Sequence, residues 1–176
     1  MPASASPNVM TSSVVDRPMT AADFPVVSRL HAEAFGPGRF ARTAYRVREG
    51  TNDLSRYCRV AMLGDRTIAA VGFTPITIGG KPGALLLGPL VVHQDFTDRG
   101  HGTRLILQAM DAARADGLEL MLLVGDEPYY GRFGYRAVPM GQIRLPGPVN
   151  PQRLLAAELQ PDALSRFSGA IAGQRS

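Results

Sequence analysis

The sequence predicts a mixed α+β fold organised around one sheet. Three observations carry that reading. Three aliphatic, β-branched runs lie between Tyr57 and Val92, separated by Gly64-Asp65 and Gly79-Gly80, which is hairpin-turn chemistry. Segments of helical period stand before and after this meander. At 176 residues the chain has the length of one domain with a single substantial core.

The elements follow in order. Residues 1–13 are small, polar and Pro/Ser-rich, and read as a loose tail before a single domain over 14–176. They lack the basic start and long apolar stretch of a secretory signal. VVDRP (14–18) serves as a first strand. TAADFPVVSRLHAEAF follows as a helix, with Thr20 and Asp23 in a capping arrangement and Pro25 tolerable near the start. Phe24, Val27, Leu30, Ala34 and Phe35 form its apolar face, and GPG (36–38) ends it. FARTAYRVREG (40–50) predicts a second, shorter helix stopped by Gly50.

RYCRVAML, RTIAAVGFTPITI and PGALLLGPLVV are the three meander strands. A helix is expected from Thr103 to Asp116, with Leu105, Ala109, Ala112 and Ala113 inward and Gly117 closing it. LELMLLV (118–124) reads as a fully buried strand. DEPYYGRFGY forms one short helix and turn, with Asp126 as N-cap and Pro128 in the first turn. RAVPM and LLAAEL (154–159) supply final strands.

Composition narrows the function. No run of 18 apolar residues exists, so no membrane span is expected. Cys58 is the only cysteine, which excludes an intrachain disulfide, fits a reducing cytoplasm, and reads as a buried inert thiol. The net charge is +4, but Lys81 is the only lysine and the arginines are spread along the chain. With no basic-aromatic run, zinc-ligand spacing or RRM-like signature, the pattern argues against a nucleic-acid partner and leaves an anionic ligand open.

LVVHQDFTDRGHGTRL (90–105) points to where such an anion would sit. A helix N-terminus carries unpaired amides and partial positive charge. Gly100 and Gly102 allow close backbone approach, Arg99 and Arg104 add charge, and Thr103 adds a hydroxyl donor. A dinucleotide fingerprint would need glycine where Leu105 stands, and a P-loop would need Gly-Lys followed by Ser or Thr. Upstream, Gly88-Pro89 interrupts LLLGPLVV. Proline cannot donate to a ladder, so a bulge or opening is expected. That would leave the backbone of Leu90, Val91 and Val92 free for a ligand lying alongside like an added strand.

These residues resemble the GNAT superfamily of acyl-CoA-dependent N-acetyltransferases, and within it the bacterial YhbS-like branch. The likeness runs over roughly residues 14–170 and rests on LGPLVVHQDFTDRGHGTRL, LLVGDEPYYGRFGY, RPMTAADFPVVSRLHAEAF and, more faintly, AELQPDAL. The family loop, Arg/Gln-x-x-Gly-x-Gly/Ala, falls on Thr97 to Gly102, with Thr97 departing from the usual first residue. An amide cradle needs no particular side chain there. The resemblance implies a mixed, mostly antiparallel sheet whose fourth and fifth strands splay into a central V flanked by helices. It further implies acetyl-CoA as cosubstrate and no metal. The pantetheine arm would meet the main chain near Leu90 and Val92, and the pyrophosphate would rest on Arg99, Gly100, His101, Gly102, Thr103 and Arg104. A tyrosine five residues before the closing Gly-aromatic commonly acts as general acid, and counting back from Tyr135 gives Tyr130. Tyr129 reads as structural or substrate-facing.

The expected reaction is acetyl transfer to a primary amine by direct attack. No base is identified. Asp126 reads most simply as a cap, Glu127 as solvated, and His31 as a surface or boundary residue, while His93 ends the splayed strand facing either solvent or cleft. The acceptor pocket is expected among the first two helices, residues 49–56 and the C-terminal segment. A catalytically silent CoA-binding or sensor module is the alternative, and the oligomeric state stays open, a homodimer included.

Overall fold

A computed structural model describes residues 13–36, 47 and 54–174. The expected tail, apart from Ser13, lies outside the described residues. So does the expected second helix over 40–50, except Val47, which is helical and buried.

Strand β1 (Val14–Pro18) leads through a 3-10 turn (Ala21–Asp23) into helix α1 (Phe24–Phe35). The turn is fixed by the Asp23 carboxylate. Its Oδ2 accepts from the Thr20 amide at 2.8 Å, and the two Arg17 terminal nitrogens donate to its two oxygens at 2.8 Å each. Pairing with Arg17 holds the Asp23 carboxyl down to about 2. Val27 and Leu30 are buried and Phe24 and Phe35 pack partly against the same cluster, but Ala34 faces solvent. The inward stripe is therefore one position narrower than the sequence pattern suggests.

The meander is present as β2 (Arg59–Leu63), β3 (Arg66–Ile78) and β4 (Lys81–Val92), paired antiparallel. Helix α2 spans His101–Ala115, two residues earlier than expected, because Gly100 rather than Gly102 is the left-handed cap. It buries Leu105, Ile106, Ala109, Met110 and Ala113 on the sheet. The three larger side chains, Leu105, Ile106 and Met110, contribute roughly 1.5–3 kcal/mol each. Strand β5 (Leu120–Val124) precedes the short helix α3 (Glu127–Tyr130), then β6 (Arg136–Ala137), β7 (Ile143–Arg144), β8 (Leu154–Glu158) and β9 (Gly169–Gly173).

Among the described residues the sheet runs β1-β2-β3-β4-β5-β8-β6, with β9 pairing the far half of β3 and β7 pairing β9. Strands alternate between its faces, as a period of two requires. Val71, Phe73, Leu85 and Leu87 join α2 in one cluster, whereas Val60, Ala70 and Val91 join α1 in another. Cys58 belongs to the α1 cluster at 1 % exposure, with its sulfur accepting from the Phe73 amide at 3.4 Å, so the thiol is buried as expected.

Candidate active site

One parallel contact in this sheet breaks early. Strands β4 and β5 pair only from Ala84 to Leu86 against Leu120 to Leu122. Beyond Leu86 the strands part, and β4 continues to Val92 with β3 as its neighbour. A bulge lies at the parting. Val71 pairs with Leu90 and Phe73 with Leu87, so Gly88 and Pro89 together oppose Gly72. The His93 amide donates to Ile68 on β3 at 2.8 Å. Alternation then turns the main-chain groups of Val91 toward β3, and those of Leu90 and Val92 toward the opened edge. Val91, expected as part of the ligand-facing backbone, is thus engaged by β3, with its side chain in the α1 cluster.

The opened edge leads directly to the N-terminus of α2. Asp98 and Gly100 both take positive φ, 62° and 82°. Short polar Asp tolerates that region and Gly suits it best. A Cβ at Gly100 would meet nothing within 4 Å, whereas one at Gly102 would touch Leu90 Cδ1 and Val92 Cγ2 at 3.4 Å. The two glycines therefore differ in purpose. Gly100 turns the chain, and Gly102, which is helical, seats the first turn of α2 on β4. The amides of that first turn have no intrahelical acceptors and face an anion-ready site.

The two arginines also divide. Arg99 is exposed with its guanidinium 5.5 Å from the Phe96 ring centre, and it makes no ion pair among the described residues. Arg104 grips Asp16 of β1 with both ends of its fork, Nε to Oδ2 at 2.7 Å and Nη2 to Oδ1 at 2.9 Å. Gln108 donates to the same Oδ2 at 2.9 Å and accepts from Arg59 at 2.8 Å. This network lowers the Asp16 pKa and raises that of Arg104. Arg104 is therefore a tie between β1 and α2 rather than a freely offered charge. His101 is buried beside Phe96, and its Nδ1 has no partner among the described residues. Burial and, next, the Arg104 charge lower its pKa. Thr103 is half-buried in the same turn.

Tyr130 stands at the other lip of the gap, just past the end of β5. Its ring covers Gly125 so closely that any Cβ there would overlap it, at 2.5 Å from Cε2. Burial, then the neighbouring Tyr129 and Asp126, push its phenol up to about 12, so it stays protonated at neutral pH. Tyr129 meets that ring edge-on at 4.8 Å and carries Arg132 over its own face at 4.3 Å. Asp126 begins α3, but its carboxylate accepts from Arg153 instead of capping the helix. Glu127 reaches the Ala137 amide. His93 turns away from the gap, with Nδ1 accepting from the Asp95 amide and Nε2 3.1 Å from Arg66.

On the α1 face, behind the bulge, lies a cavity of about 310 Å³ walled by Phe24, Val27, Ala70, Phe73 and the Gly88-Pro89 backbone, with His31 and Ser28 from α1. His31, which sequence reasoning set aside, belongs to this wall. Among the described residues the C-terminal segment contributes none of the cavity's wall, and the second helix apart from Val47, with residues 49–53, lies outside the described residues. Among the described residues no helix is long and apolar enough to cross a membrane, and no three His, Cys, Asp or Glu side chains gather as a metal site.

A sheet opened beside a helix N-terminus offers a main-chain edge and an anion site in one line. Residues 24–135, more than half of the chain, match the model of the acetyltransferase (GNAT) family, and the chain belongs to that family. Among its relatives is the uncharacterized N-acetyltransferase YhbS of Escherichia coli K12, 23% identical over 107 residues. The matched stretch covers 60% of this chain and 64% of that relative, less than two thirds of its length. The crystal structure of E. coli YhbS in complex with CoA superposes with a TM-score of 0.77 at 22% identity, covering 92% of this chain and 89% of that one. A GNAT family acetyltransferase from Brucella melitensis in complex with acetyl-CoA gives 0.59 at 24% identity, covering 86% and 97%. Both confirm the fold, including the mixed sheet that the resemblance implied.

Proposed function

We propose that this protein transfers the acetyl group of acetyl-CoA to a primary amine, with Tyr130 as general acid. The observation that carries the reading is the β4 edge from Leu90 to Val92, which among the described residues no strand pairs on its β5 side and which leads to the α2 N-terminus, with Tyr130 across the gap. The CoA and acetyl-CoA bound to the E. coli and B. melitensis proteins of the same fold support it.

The residues fit such a ligand. The first-turn amides of α2 and the Arg99 guanidinium suit a diphosphate, and the outward main-chain groups of Leu90 and Val92 suit the amides of a pantetheine arm. Acetyl-CoA supplies an acyl group activated as a thioester. A main-chain amide beside the bulge can polarise its carbonyl oxygen. The amine nitrogen forms the C–N bond as the C–S bond breaks. Tyr130 gives its proton to the departing sulfur, and the proton shed by nitrogen returns to the phenol through solvent. A phenol near 12 serves as a standing hydrogen-bond donor that releases its proton only as negative charge builds on sulfur.

Two measurements test this. Acetyl-CoA at a hundred times its Kd should stabilise the protein by about 2.7 kcal/mol. Free thiol should also appear when an amine is added. Binding without thiol release from any amine would favour a silent CoA-binding or sensor module.

A further inference from the structure

We infer that the acceptor is a small apolar monoamine, an arylalkyl or branched alkyl primary amine, seated in the cavity between α1 and the β3–β4 bulge. This deepens the proposed acetyl transfer and rests on it.

Position comes first. A ligand laid along the open edge with its anionic end at Arg99 to Arg104 reaches the bulge with its other end, since β4 closes onto β5 again at Leu86. The Gly88-Pro89 backbone is both the inner end of that edge and a wall of the cavity. An amine in the cavity therefore approaches the acyl carbon from the α1 face, while α2 covers the other face.

Chemistry comes next. Among the described residues the wall carries no Asp, Glu, Lys or Arg. A polycation would bury a second ammonium with no carboxylate to meet it, and an amino acid would bury its carboxylate with no cation. Both penalties exceed what a few apolar contacts return. At about 310 Å³ the space sits at the small end of ligand pockets. Met19, Phe24, Val27 and Ala70 reward a compact apolar body with transfer energy.

The same wall answers the missing base. An alkylammonium with a pKa near 10 is about one part in a thousand neutral at pH 7. Moving it into an apolar wall without a carboxylate lowers that pKa, as it does for a buried lysine. The pocket thus selects the neutral, nucleophilic form, and His31 of α1 offers an imidazole beside it.

The test follows thiol release from acetyl-CoA with three amines: 2-phenylethylamine, phenylalanine, which adds only a carboxylate, and spermidine, which adds charge. We expect kcat/KM for 2-phenylethylamine to exceed both others by at least about tenfold. Ser28→Asp, a change on the exposed rim, should move the ratio toward spermidine by about threefold or more. Equal or better turnover of phenylalanine or spermidine overturns the inference while leaving acetyl transfer intact. Calorimetric binding of 2-phenylethylamine to the protein saturated with CoA reads the pocket without chemistry. Binding there that Ser28→Phe, an uncharged change narrowing the cavity mouth, weakens, even with no acetyl transfer to any amine, upholds the pocket and removes the transfer. No binding overturns the inference.

Discussion

At the α2 end of the open β4 edge, the groups suited to a ligand are main-chain amides, held by a left-handed Gly100 and a tightly seated Gly102. At the β5 end the role proposed above falls to one side-chain hydroxyl, that of Tyr130, whose ring is packed over Gly125. The loop end can absorb most side-chain changes provided its backbone path survives. The corner should absorb almost none, because the role proposed for it sits on a single oxygen. Even the arginines obey this division, since Arg104, which the sequence offered as a ligand charge alongside Arg99, is already spent on Asp16.

The largest effect should come from the corner. Tyr130→Phe keeps the ring and should lower kcat by about 10²–10⁴, nearer the lower bound because a thiolate of pKa about 8.5 is already a fair leaving group. Acetyl-CoA affinity, read by calorimetry, should stay within a few fold, and Tyr129→Phe should leave turnover within several fold. Equal losses of rate and affinity would mean that the corner positions the ligand, and the contrast between the ends would collapse.

Gly102→Val attacks the loop end through its backbone. The branched side chain would press on Leu90 and Val92 and lift the first turn of α2 from β4. Most of the about 2.7 kcal/mol gained from saturating acetyl-CoA should vanish in thermal unfolding. An undiminished shift would show that the cradle does not depend on this seat.

The arginines give a smaller, sharper test. Arg104→Gln should cost about 1–3 kcal/mol of stability in urea, by leaving the half-buried Asp16 carboxylate short of its partner. Arg99→Gln should leave stability unchanged and weaken acetyl-CoA by up to about fivefold, the reach of an exposed charge pair, with a flatter salt dependence. Reversed outcomes would exchange the two roles.

Acid and alkali should separate the ends. The folded Asp16 pKa is lowered, so its contribution is present above the ordinary carboxylate value and is lost as pH falls through the lower folded value. The folded Tyr130 pKa is raised to about 12, so its contribution is present below about 10 and is lost as pH climbs through about 12. Urea unfolding across pH should show a shallower acid limb in Asp16→Asn and a shallower alkaline limb in Tyr130→Phe. Tyr57, also held near 12, will keep part of the alkaline slope.

Much of this molecule was legible because its strong signals are local. The meander, α2 and the bulge each announce themselves within a dozen residues of period or punctuation. What escaped was long-range or weakly patterned. GAIAG (169–173) has no stripe to mark it, yet it becomes β9 by pairing with the far half of β3. Ile143–Arg144 is too short to carry a period at all. For the site, sequence named the residues of the loop but not the use of each. It could not show that Gly100 bends while Gly102 packs, or that Arg104 answers a carboxylate 88 positions away. His31 looked like a boundary residue because its neighbours across the cavity come from β3 and β4.

The Asp16–Arg104 fork has one more consequence. Among the described residues strand β1 sits at the margin of the sheet, paired with β2 alone, and marginal strands are where native proteins open first. Every transient peeling of β1 carries Asp16 away from the first turn of α2. This marginal strand and the loop that opens α2 therefore breathe together, and amide exchange in residues 14–18 becomes a remote gauge of how firmly that loop is held.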